Sequence, residues 1–134
     1  MQDALTFSHL ALLLGIHNVP TRDIGVEMST DTLKDYVSSI ARSLSNGFDG
    51  ELNADGEQLN AFNYLQDALD IEYIVNSKGE CLGGRILVAF GGPNIWIDTR
   101  RGVVDGYWWG EQAHVAFDDG LGLEDALEEL WACR

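Results

Sequence analysis

Residues 86–90, Ile86-Leu87-Val88-Ala89-Phe90, form an unbroken apolar run closed by Gly91-Gly92-Pro93. That pattern fits a central strand covered on both faces and ended by a turn. After the break, Ile95 and Ile97 alternate with Trp96 and Asp98, Arg100-Arg101-Gly102 supplies a turn, and a second run passes through Val103, Val104, Tyr107 and Trp109. This reads as a β-hairpin, with Gly102 free to take the positive φ that a short loop with a bulge demands.

Upstream, Ile71, Tyr73 and Val75 alternate with Glu72, Ile74 and Asn76, so the period is again two. Strands are expected at about 71–76, 82–90, 94–99 and 103–109, with one more offered at 113–117. Apolar residues at helical spacing predict helices at about 4–16, 30–45, 57–69 and 122–132. The second carries Leu33, Val37, Ile40, Ala41 and Leu44 on one face and stops at Asn46-Gly47. For the third, Asp55 followed by Gln58 resembles a capping box, and Leu59, Phe62, Leu65 and Leu69 form the inner stripe. In the last, Leu123, Leu127, Leu130 and Trp131 face inward. The expected class is α+β: N-terminal helices, an antiparallel three- to four-stranded β-meander, and a C-terminal helix packed on the sheet, all in one domain over residues 1–134.

The net charge of -14 alone would suit a disordered chain, but 46% apolar and 10% aromatic residues argue for a folded one with its charge on the surface. A pI near 4.2 argues against direct binding to nucleic acid or to anionic lipid, both of which are attracted by Lys and Arg. The run Leu10–Leu14 lacks the basic flank and cleavage site of a signal peptide and is too short to cross a bilayer, so no membrane partner is expected. Cys81 and Cys133 read as free thiols in a reducing, cytoplasmic setting.

No catalytic motif emerges, and no cofactor or metal is assigned. His9, His17 and His114 lack metal-ligand spacing, and the glycines from Gly79 to Gly92 form no phosphate-binding loop. Glu51, Asn53 and Asp55 ahead of Gly56 invite comparison with a calcium loop, but Phe62 then stands where the bidentate Glu belongs. A pair of Cys81 and His114 with a nearby acid would need geometry that spacing alone cannot supply.

Acids fall in two blocks. Asp49, Glu51, Asp55, Glu57, Asp67, Asp70 and Glu72 lie in a stretch without Lys or Arg between Arg42 and Lys78, and Asp105, Glu111, Asp118, Asp119, Glu124, Asp125, Glu128 and Glu129 in another between Arg101 and Arg134. One reading is plain solubility. The other is that the carboxylates imitate nucleic-acid phosphates and dock on a basic surface. Trp108 and Trp109, adjacent in an expected strand, should face opposite ways, leaving either a packed pair or one exposed interface anchor.

The segments GGPNIWIDTRRGVVDGYWWG and FDDGLGLEDALEELW resemble parts of small acidic proteins carried by phages and plasmids, among them anti-restriction and anti-CRISPR inhibitors. That resemblance implies a stoichiometric inhibitor occupying a nucleic-acid-binding surface of a bacterial defence complex, and it transfers no functional residue. The expectation is a non-enzymatic acidic protein, monomer or homodimer, with a basic host or defence protein as partner and Asp49, Glu51, Asp55, Glu57, Glu111, Asp118, Asp119, Glu124, Asp125, Glu128 and Glu129 with Trp108 and Trp109 as its contacts. The alternatives are a small metal-dependent or cysteine-based enzyme and a homodimeric structural protein.

Overall fold

The computed structural model describes residues 30–134, with side chains from Thr32 onward. The expected helix at about 4–16, His9 and His17 lie outside the described residues. Helix α1 (Thr30–Ser45) forms where the sequence places it, and Leu33, Val37, Ile40, Ala41 and Leu44 are all buried. It ends in a left-handed exit: Gly47 has φ 67°, its N–H donates to Leu44 O, and the Phe48 N–H reaches back to Ser43 O at 2.8 Å.

The sheet is a meander of five antiparallel strands in sequence order. They are β1 (Asp70–Val75), β2 (Cys81–Ala89), β3 (Asn94–Asp98), β4 (Val103–Trp108) and β5 (Glu111–Ala116). The last, offered at 113–117, makes five strands where three to four were expected, and β3 rather than the apolar run of β2 occupies the middle. β5 is hard to read because Ala113 and Val115 alone face inward from an otherwise polar segment.

Register divides the sheet into two faces. Directly opposed residues share a face, so Ile71, Ile86, Ile97, Val104 and Val115 form one row, with Ile95, Gly106 and Ala113 beside it. Helix α1 crosses this face over β4 and β5, approaching so closely that a Cβ on Gly106 would lie 2.5 Å from a Val37 methyl. Helix α3 (Leu123–Ala132) covers β2, with Leu127 against Gly84. The C-terminal helix thus packs on the sheet of an α+β fold.

Helix α2 (Ala61–Gln66) is shorter than the expected 57–69. Its capping box is Asn60 with Asn63, not Asp55 with Gln58, because the Asn53 side chain holds the preceding loop by accepting from the N–H groups of Asp55 and Glu57. The later start turns Tyr64 inward, onto Phe48 at 5.0 Å, and leaves Phe62 and Leu69 about half exposed. Burial pushes the Tyr64 hydroxyl well above its ordinary pKa, and the Glu51 carboxylate adds to that shift.

Candidate functional site: the acidic face and the tryptophan hairpin

The chain brings the two acidic blocks together. The Gly120 N–H donates to Leu44 O at 3.1 Å and the Asp118 N–H to Ser45 Oγ at 3.0 Å, so the Asp118–Asp119 loop of the second block lies against the end of α1, just ahead of Asp49 in the first. Farther along, Glu57 and Leu130 line one shallow depression between α2 and α3. On α3, Leu123, Ala126 and Leu127 face the core, and Asp125, Glu128 and Glu129 recur on the outer stripe at i, i+3 and i+4.

Not every acid in the blocks is available. Asp119 accepts from the N–H groups of Gly122, Leu123 and Glu124 at 2.8–3.0 Å, closing the α3 N-terminus that Gly122 cannot cap. Glu124 lies partly buried beside Gly83, and Glu51 approaches the buried Tyr64. Asp49, Asp55, Glu57, Asp118, Asp125, Glu128 and Glu129 remain exposed. Two block members are neutralised across the sheet, contrary to the expectation: Glu72 pairs with Arg85 and Asp105 with Arg101, which also approaches Asp98, all on the other face of the sheet, and among the described residues no ion pair uses the seven exposed acids. The loop gives no calcium geometry, since Asn53 turns its oxygen to backbone N–H groups and its amide to Glu57.

Trp108 and Trp109 sit elsewhere. They end β4 at the hairpin with β5, and six residues of β5, roughly 20 Å of extended chain, separate this tip from the Asp118–Asp119 loop. Only Glu111 of the expected contacts accompanies them, so charge and aromatic side chains stand at opposite ends of the sheet rather than side by side. Trp109 is not in a strand: it and Gly110 form the turn, with φ of 50° and 81°. Both central residues of such a turn need positive φ, which favours Asn-Gly and places a bulky side chain under strain of about 1–2 kcal/mol. Trp109 is 84% exposed, and Trp108 meets it edge-on at 5.9 Å while packing against the core.

One constellation escaped the sequence. On the sheet face opposite α1, Asp105 is 1% exposed and accepts from Arg101 at 3.0 Å and from His114 at 2.6 Å. The two donors lie on the β3–β4 turn and on β5, so pairing across strands, invisible in linear spacing, assembles the group. His114 and Cys81 do not meet: β5 and β2 are three strand spacings apart, roughly 14 Å. Among the described residues no three Asp, Glu, His or Cys side chains converge as a metal site, and no helix is long and apolar enough to cross a membrane. No family model matches the chain, nor does any curated protein or solved structure.

Proposed function

We propose that this is a non-enzymatic binding protein whose acidic face docks on a basic surface of a partner protein. The observation that carries the reading is the junction of parts of the two acidic blocks into one region whose exposed carboxylates form no ion pair among the described residues. Such a region raises the encounter rate with a basic groove and repels polyanions. A groove that binds nucleic acid supplies the matching charge, and the resemblance noted above points to one in a bacterial defence complex, blocked stoichiometrically.

The test is capture from bacterial lysate on the immobilised protein at low and high salt, with duplex DNA as competitor. The expected result is a retained nucleic-acid-binding protein released by salt and by DNA, and not retained by the triple variant Asp125→Lys, Glu128→Lys, Glu129→Lys. Retention indifferent to salt, to DNA and to that reversal would overturn the proposal.

A further inference from the structure

The depression between α2 and α3 joins charge to apolar surface, which the acidic face alone does not require. Its apolar lining is Phe62, Leu65 and Leu130, its polar lining includes Glu57, Asn60 and Gln66, and its volume is about 340 Å³. Phe62 is 45% exposed although it stands on a fixed helix, whose start is held by the reciprocal Asn60–Asn63 bonds and whose Tyr64 is buried against Phe48. The ring is therefore held in place with its apolar surface showing, which lowers the ordering cost of a contact made there.

Carboxylates border this groove. Glu57 belongs to the lining, is exposed, and accepts from the Asn53 amide, a neutral donor, at 3.1 Å. Successive residues of a helix stand about 100° apart. On α3, Asp125 and Glu129 therefore form the stripe next to Ala126 and Leu130, on the side away from the buried Leu127, and Glu128 lies on the other flank. Among the described residues the lining holds no Lys, Arg or His, and no ion pair uses Glu57, Asp125 or Glu129.

Apolar surface and charge together select the occupant. A second copy of this chain would set Glu57 and Glu129 against like charges in a protein of net charge -14. A basic segment without apolar residues would leave Phe62 in water. A neutral apolar helix would cover Phe62 while desolvating the neighbouring carboxylates without a counter-charge. A helix with an apolar stripe flanked by Lys or Arg meets both demands, the stripe on Phe62 and Leu130 and the cations facing Glu57 and Glu129. We propose that the groove between α2 and α3 docks a basic amphipathic helix of the partner protein. The proposal rests on the acidic-face reading above and adds to it the place and the shape of the contact.

The experiment uses the full chain and three synthetic peptides of equal length: a Leu/Lys amphipathic helix, a Gln/Lys peptide of the same charge, and an uncharged Leu/Gln amphipathic peptide. Binding is followed by backbone ¹H–¹⁵N correlation and by anisotropy of the labelled peptides. The Leu/Lys helix should give saturable shifts at Phe62, Gln66 and Leu130, and each of the other peptides should bind about tenfold or more weakly. Phe62→Ala should weaken the Leu/Lys helix by a similar factor, and Glu129→Lys should weaken it more than Glu128→Lys does, with thermal melting confirming that the variants are folded. Equal binding of the two Lys peptides, or undiminished binding by Phe62→Ala, would overturn the groove and leave the acidic face standing as the docking surface. Equal binding of the Leu/Lys and Leu/Gln peptides, indifferent to Glu129→Lys, would overturn the charge match and the acidic-face reading with it. Shifts at the same three residues that grow with protein concentration alone would assign the groove to a second copy, and no binding by any peptide would likewise refute the proposal.

Discussion

Trp109 shows what a single residue can disclose. A tryptophan in the first position of a two-residue turn, at φ 50°, replaces the Asn that the geometry favours. Trp109→Asn should therefore raise stability by roughly 1 kcal/mol in chemical denaturation, because the strain goes and little buried area is lost. An unchanged or lowered midpoint would mean that the ring packs better than its exposure suggests. Asp119 is the opposite case, an exposed acid with a structural task. Its carboxylate serves three N–H groups at the start of α3, and Asp119→Ala should cost about 1–2 kcal/mol, whereas Asp125→Ala should be nearly silent. Tyr64 adds a pH dependence. Its hydroxyl is held above the ordinary value of 10.0, so its contribution is whole below that pH and is lost as pH rises further. Tyr64→Phe should flatten the alkaline fall in the unfolding midpoint.

At the scale of elements, neighbours in the apolar run of β2 are not equivalent. Ile86 joins the row beneath the helices and is fully buried, while Leu87 pairs with Trp96 on the opposite face and keeps 9% exposure. Ile86→Ala should cost roughly 2–5 kcal/mol and Leu87→Ala less, a difference readable in denaturant midpoints. The run itself marked β2 as a buried strand, and helical spacing marked α1 and α3, because each carries its pattern on one continuous face. What the sequence concealed depends on partners far along the chain. The start of α2 is set by the Asn60–Asn63 box and the Asn53-bound loop, either of which is one polar residue among many in linear view. β5 borrows its inward residues from a register fixed by the Trp109-Gly110 turn, and Trp-Gly is not a turn signal that composition reveals. The same turn, rather than alternation along a strand, is what sends one tryptophan to the core and the other to solvent.

Across the whole molecule, the sheet separates two surfaces. The loop after α1 and the outer stripe of α3 gather exposed carboxylates at one end, and the cations Arg85 and Arg101 are held by acids on the far side of the sheet. The tryptophan hairpin stands at the other end. Which acids belong to the candidate surface was legible as two blocks, but their adjacency was not, since it rests on Gly120 meeting the end of α1 through a contact with no room for a side chain. The most direct measurement is the association rate of the captured partner at low and high salt. The triple reversal Asp125→Lys, Glu128→Lys, Glu129→Lys should slow association about tenfold or more and flatten its salt dependence, while Trp109→Asn leaves the rate unchanged. A partner whose association ignores the reversal and fails with Trp109→Asn would contradict the account, placing the docking surface at the hairpin instead.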